Sequence, residues 1–216
     1  MSQIRQNADF RTPFIHAANG LVELVKQIPS QSWDTQALGV WTLRDLVGHA
    51  CRAITTVEEY LAKNVEGPII MDSAEYFLLA LANSSDPGRK RKQDAAIAAR
   101  GIEAGQRLGS EPHSCIAKIA ERVCEKVSST DGTVLLGTPV GPMPLSAYLP
   151  TRTFELAVHG CDIAHVLSIP PPKLLDEAIA TACELAGRIA SHRENAAAIL
   201  LLMTGRTGVP EGTSVL

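Results

Sequence analysis

Apolar residues recur along much of the chain at steps of three and four, the spacing that places them on one face of an α-helix. The first such stripe predicts a helix over residues 7–28, and Pro29 ends it. A second stripe predicts a helix from Leu43 to Lys63, with Thr42 as its N-cap. Asp45, three residues after the cap, supplies an acidic variant of the capping box. This is one of the clearest helix starts in the sequence.

The helical pattern continues after this second helix, with two interruptions. Periodicity predicts further helices over residues 74–82, 93–108, 114–128, 145–167, 173–190 and 194–204. The second and third of these are either one bent helix or two. Residues 84–92 contain Asp-Pro-Gly and a basic run and are predicted to form a surface loop. Glycine and proline accumulate over 131–144, which predicts a small hairpin or an irregular loop.

These elements predict an all-α protein. Aromatic residues make up only 4% of the chain, while alanine and leucine are abundant, a balance that favours helices over sheets. A chain of 216 residues suffices for one large domain or for a core domain with a helical appendage. The three prolines at 170–172 favour the second arrangement, with one domain over 1–168 and a helical extension over 169–216.

The net charge and the lengths of the apolar segments argue against a nucleic-acid-binding protein and against a membrane-spanning one. A net charge of −3 and a pI of about 6.1 provide no basic field for a nucleic acid. The longest apolar run, Ala196 to Met203, is shorter than the roughly 18 to 20 residues of a membrane-spanning helix. The first ten residues lack the layout of a secretory signal, so we expect a cytoplasmic protein. Five cysteines without a C-x-x-C pair predict reduced thiols.

A candidate metal site lies in the predicted helix 145–167. Glu155 and His159 are four residues apart and therefore lie about 40° apart around the helix axis. Asp162, three residues further on, is a candidate to hydrogen-bond an imidazole. His49 supplies a third ligand if its helix faces this one. Two histidines and one carboxylate leave a coordination position open, as in catalytic zinc sites, although iron, nickel or cobalt would suit the same ligands.

An alternative interpretation needs no metal. In this interpretation His49 and His159 are core histidines bonded to backbone carbonyls, and Glu155 is a solvated helix residue. The spacing of the residues alone slightly favours it. Cys51 and Cys161 each follow a histidine by two residues, which points them away from it, so both are interpreted as packing residues. The basic run at 88–92 is interpreted as a solvated loop. The sequence contains no motif of a serine hydrolase, a P-loop protein or a dinucleotide-binding fold.

Two blocks, Trp41–His49 and Arg152–Ala164, resemble signature segments of the mycothiol-dependent maleylpyruvate isomerase N-terminal family in the DinB-like superfamily. The segment Leu201–Arg206 also resembles a closing segment of such proteins. The resemblance implies an up-down-down-up four-helix bundle with additional C-terminal helices. It also implies that His49, Glu155 and His159 hold a divalent metal, usually zinc.

Family members use the metal to bind the sulfur of a low-molecular-weight thiol, commonly mycothiol. The resemblance therefore implies a metal-dependent, thiol-using transferase or isomerase. Its partners would be a small-molecule electrophile and the thiol, with no nucleic acid and no membrane, and a homodimer is a candidate assembly. The alternative is a non-catalytic metal- or ligand-binding bundle. Arg152 and Arg206 are candidates for binding an anionic ligand. An arginine near a helix end is more often a surface ion-pair partner, and this second interpretation is favoured.

Overall fold

The computed structural model describes residues 9–64, 66–82, 86–193, 195–208 and 214. The described residues are 68% helical, and the all-α prediction is confirmed. The helices of this described part are α1 Thr12–Lys26, α2 Leu43–Leu61, α3 Ser73–Ala80, α4 Pro87–Arg107, α5 Pro112–Ser129, α6 Leu145–Val166, α7 Asp176–His192 and α8 Ala196–Met203. Two antiparallel pairs of short strands accompany them, β1 Gln36–Leu38 with β2 Trp41–Thr42, and β3 Leu135–Thr138 with β4 Gly141–Pro144. No helix among the described residues has both the length and the apolarity needed to cross a membrane.

Helices α1, α2, α5 and α6 form a bundle in which α5 and α6 each contact both α1 and α2. Helix α2 runs antiparallel to α6. The evidence is a hydrogen bond of 3.1 Å from the Tyr148 hydroxyl, near the start of α6, to Thr56 Oγ1, near the end of α2. Residues in the first third of α2 therefore lie beside the second half of α6.

The directions of the other two bundle helices follow from contacts to α5. Cys51 neighbours Cys115, and Glu58 pairs with Arg122 at 2.6 Å, so α2 and α5 advance in the same direction. Arg11, just before α1, donates hydrogen bonds to carbonyl groups at the C-terminal end of α5, so α1 and α5 are antiparallel. The order is therefore up, down, down, up, which confirms the predicted bundle, and α7 and α8 are the additional C-terminal helices.

Helix α6 is the most enclosed element of the bundle. Buried residues occur around most of its circumference, because α1, α2, α3 and α7 all pack against it. Polar side chains that α6 carries, such as Arg152 and Thr153, are therefore held inside the protein. Helix α8 contacts α7 and has no buried residue. The proposed division at residue 168 stays a prediction.

Helix α4 packs closely along α2, and two glycines permit this approach. A Cβ atom added at Gly48 would lie 2.2 Å from the backbone nitrogen of Gly105, and one added at Gly105 would lie 2.9 Å from the carbonyl oxygen of Arg44. Neither position can therefore hold a side chain without moving one helix. Because Gly48 directly precedes His49, this contact also fixes the backbone from which His49 extends.

The structure corrects two local predictions and decides two that the sequence left open. The loop predicted over 84–92 is wrong from residue 87 onward, because α4 begins there with Asp86 as N-cap, bonded to the Arg89 N–H at 2.8 Å, and Pro87 at the start. Residues 83–85 lie outside the described part. The first helix begins at Thr12, so the prediction that it covers residues 9–11 is wrong, and residues 7 and 8 lie outside the described part. The Asp9 carboxylate accepts the N–H groups of Arg11 and Thr12. Residues 93–108 and 114–128 belong to two separate helices, and residues 131–144 contain the predicted hairpin.

Candidate metal centre

His49, Glu155 and His159 converge at one point of the bundle. One possible ligand atom from each lies within 4.8 Å of the other two. Helix α6 presents Glu155 and His159 one turn apart, with His159 Nε2 3.4 Å from Glu155 Oε2. The antiparallel helix α2 brings in His49, whose ring centroid lies 4.7 Å from that of His159 at an interplanar angle of 84°. The structure thus brings together all three residues that the sequence singled out.

Asp162 orients the imidazole of His159. Its Oδ2 atom lies 3.0 Å from His159 Nδ1, across the i to i+3 spacing of α6. With the proton on Nδ1, the ring donates to Asp162 and leaves Nε2 as the free lone pair on the side of Glu155. The role that the sequence suggested for Asp162 therefore has the geometry it requires.

The three side chains have strongly shifted pKa values. Burial, with the nearby His159, lowers the pKa of His49 to about 4. For His159, burial acts to lower the pKa, but hydrogen bonds with Asp162 and Glu155 raise it to about 9. For Glu155, burial acts to raise the pKa, but the hydrogen bond with His159 and the charge of Arg152 lower it to about 2. At neutral pH, Glu155 is therefore a carboxylate, His49 is a neutral imidazole and His159 is an imidazolium. The second proton of His159 supplies the positive charge that a metal ion could supply instead.

The donor set fits a divalent transition metal. Nδ1 of His49 is buried and has no hydrogen-bond partner within the described residues. A buried polar atom without a hydrogen-bond partner lowers the stability of the fold by about 1–3 kcal/mol unless a ligand binds it. Two imidazoles and one carboxylate are the ligands of open zinc sites, and the same set is compatible with neighbouring metals. These three residues can therefore hold an ion and leave room for a further ligand.

Trp41 forms one wall beside His49. The two rings lie 4.5 Å apart at an interplanar angle of 32°, and Trp41 Nε1 donates a hydrogen bond of 3.0 Å to the carbonyl of Ala98 in α4. A Cβ atom on Gly101 would lie 2.7 Å from the indole, so α4 also holds the ring by shape. Sequence analysis named Trp41 only as the first residue of the block Trp41–His49 and gave it no role in the site, because the residue precedes the periodic stripe of α2.

A cavity of about 700 Å³ opens beside the cluster, and His49 and Glu155 are among the residues that line it. Its walls come from α2, α3, α4, α6 and the turn between β3 and β4. Aromatic side chains and cationic side chains share the lining, namely Tyr60, Tyr76, Phe77, Arg52, Lys90, Arg100 and Arg152. The volume is that of sites for small molecules. Sequence reasoning missed this wall of α4, because it assigned Lys90 to a surface loop and because the predicted helix over 93–108 gave no sign of which helix it packs against.

Comparison with known proteins gives one match. The family described as Mycothiol maleylpyruvate isomerase N-terminal domain matches residues 14–164. The matched span is most of the chain and contains all four bundle helices except the first two residues of α1 and the last two of α6. It includes His49, Glu155 and His159. No curated protein and no solved structure matches the chain significantly.

Proposed function

The chain belongs to the mycothiol maleylpyruvate isomerase N-terminal domain family, and from this we propose that it is a metal-dependent, thiol-using transferase or isomerase. In this proposal His49, Glu155 and His159 hold a divalent ion, with zinc as the first choice. The cosubstrate is a low-molecular-weight thiol such as mycothiol. The observation that supports the proposal most is the convergence of three donor atoms within 4.8 Å beside a cavity.

The chemistry of the thiol explains the ligand set. A bound divalent ion favours the thiolate form of a thiol, and the thiolate is the nucleophile. Glu155 contributes one negative charge and the histidines contribute none once His159 has released its proton, so the site retains positive charge for a sulfur anion. Asp162 keeps the His159 ring in one orientation.

The cavity next to the cluster provides space for the second reactant. Trp41 packs against His49, and Tyr60 of α2 with Tyr76 and Phe77 of α3 contributes aromatic surface to the cavity. An electrophilic carbon placed there would meet the sulfur. In an isomerisation the sulfur adds to a double bond, the resulting single bond rotates and the sulfur leaves. In a transfer the new carbon–sulfur bond remains, and the neighbouring carbon of the former double bond takes up a proton from water.

Free cysteines support the proposed compartment. All five thiols of the chain are unpaired in the structure, which fits a reducing environment such as the cytoplasm. Burial raises the pKa of Cys51 to about 12, so this thiol does not compete as a nucleophile near neutral pH. In this proposal the reacting thiol is a separate small molecule, and Cys51 does not take its place.

The decisive experiment is elemental analysis of freshly purified protein. We expect about one divalent ion per wild-type chain, from the ligand count of such sites, and loss of that ion in His49→Ala. His165→Ala is the matched control, because His165 lies exposed on the same helix as His159 and outside the cluster. Stoichiometric metal in His49→Ala would refute the assignment.

Turnover separates the enzyme from the alternative of a metal- or ligand-binding protein. Metal-loaded wild-type protein is mixed with a thiol-reactive electrophile, with and without mycothiol. Consumption of the electrophile that depends on both protein and thiol supports the enzyme. A protein that holds its metal but consumes no electrophile with any thiol tested is a binding protein.

A further inference from the structure

Arg152 is a buried cation that forms no close ion pair with any residue that the structure describes, although its charge acts on Glu155 from a longer distance. Only 8% of the residue is exposed. Its Nε atom donates one hydrogen bond, of 3.0 Å, to the hydroxyl of the neighbouring Thr151. Among the described residues, no carboxylate oxygen lies within 4.0 Å of its guanidinium nitrogens. A cation in this condition needs acceptors in the cavity that it lines, and either water or an anionic ligand can supply them. The role of a surface ion-pair partner, which the sequence favoured, is therefore wrong for this residue.

Two aromatic rings fix the position of this guanidinium. Its central carbon lies 4.9 Å from the ring centroid of Tyr148 and 5.4 Å from that of Tyr76. Tyr148 is itself held by its hydrogen bond to Thr56. Cation–π contacts of this kind orient a guanidinium but leave its charge and most of its N–H donors unmatched. The side chain is therefore preorganised, and it lines the cavity that contains Glu155.

The charges around the cavity do not neutralise Arg152. Lys90 is paired with Asp94 at 3.6 Å, and Glu155 belongs to the proposed metal centre. Arg52 and Arg100, which also line the cavity, are less buried than Arg152 and lie nearer the rim. The cavity thus retains positive charge, and its most enclosed cation is Arg152.

We propose that Arg152 binds a carboxylate of the substrate. This inference rests on the proposed function in one respect, because it assumes that the cavity and the metal centre form one site. A guanidinium donates two parallel hydrogen bonds to a planar carboxylate. Arg152 precedes Glu155 by three residues, which is about 4.5 Å along the helix axis, so the carboxylate lies only a few bonds from the reacting carbon or sulfur. Short unsaturated or aromatic carboxylates have this spacing, and the tyrosines suit their flat carbon skeleton.

The test compares a carboxylate with its neutral amide. Cinnamate and cinnamamide are titrated calorimetrically into the protein as purified, its metal content having been determined. We expect wild-type protein to bind cinnamate roughly tenfold or more tightly than cinnamamide, as one charge-assisted pair provides. Arg152→Gln should lose this preference at unchanged metal content. Arg107→Gln should keep it, because Arg107 is exposed and paired with Glu103 outside the cavity.

A measurement on wild-type protein keeps the test valid even if Arg152→Gln does not fold. A buried pair is screened weakly by salt, so the preference should persist at about 0.5 M NaCl, whereas an effect of the rim arginines would disappear. Loss of the preference in salt, its absence from wild-type protein, or its survival in Arg152→Gln would each overturn the proposal.

The carboxylate can belong to the electrophile or to the thiol. In a separate titration without cinnamate or cinnamamide, the affinity for N-acetylcysteine is compared with the affinity for its amide. An Arg152-dependent preference in the cinnamate pair assigns the carboxylate to the electrophile, and one in the cysteine pair assigns it to the thiol. Absence of metal from the purified protein would refute the metal centre but leave the preference for carboxylates measurable, so the two failures are distinguishable.

Discussion

Replacement of Gly48 by alanine tests whether the contact between α2 and α4 positions the candidate metal centre. The added Cβ atom would lie 2.2 Å from Gly105 N and 2.5 Å from Gly105 Cα. Both neighbours are backbone atoms, so no side chain can rotate away. Ordinary contact begins at 3.4 Å, so the two helices must separate by about 1 Å, and His49 moves with α2.

The magnitude follows from two opposing effects. Overpacking costs up to about 3 kcal/mol, and alanine returns about 1 kcal/mol because it favours a helix over glycine. We therefore expect the free energy of unfolding to fall by about 2 kcal/mol, which lowers Tm by about 4–8 °C for a chain of this size. Thermal unfolding followed by circular dichroism measures the shift, and elemental analysis should show reduced metal content.

Gly187→Ala is the matched control for this substitution. Gly187 lies within α7, and a Cβ atom there would meet nothing within 4 Å. The control should be unchanged or up to about 1 kcal/mol more stable. If Gly48→Ala were as stable as Gly187→Ala and held as much metal, close packing of α2 on α4 would have no role in placing His49.

Two further predictions concern the cluster itself. Because the pKa of His159 is raised to about 9, its proton must leave before the ring binds a metal, so affinity should rise up to about tenfold per pH unit from pH 7 toward 9. Calorimetry of zinc binding in buffers of different ionisation enthalpy should show release of a proton, and binding without release would contradict this assignment. Asp162→Asn should weaken metal binding by about 10- to 100-fold, whereas the exposed Glu121→Gln should not. Equal affinities for both variants, measured by chelator competition, would remove Asp162 from the site.

Local sequence signals predicted elements better than they predicted contacts. The capping box at Thr42 and Asp45 is present in full, because its hydrogen bonds join residues three apart. The start of α4 was missed although Asp86 and Pro87 are a helix-start signal, because the following basic run was given more weight than the cap. The run is compatible with a helix, since its charged side chains face solvent.

The site itself required more than periodicity. Glu155 and His159 follow from spacing within one helix, but His49 belongs to the site only because α2 crosses α6 in the antiparallel direction. That arrangement is a property of the whole bundle. The family resemblance predicted it, whereas the apolar periodicity of α2 did not. The burial of Arg152 was not predicted. Tyr148 lies four residues earlier in α6 and is a local neighbour, but the second ring, Tyr76, comes from α3, and its packing over α6 depends on the whole fold.

The enclosure of α6 constrains how proteins built this way can diversify. Almost any substitution along this helix disturbs neighbours on several sides, so it offers few positions at which change is free. Helices α3 and α4 pack on the bundle but also have positions that face the cavity or water, and side chains at those positions can change without repacking the bundle. New ligand preferences should therefore arise mainly through those two helices, while α6 stays recognisable in chains whose ligands differ.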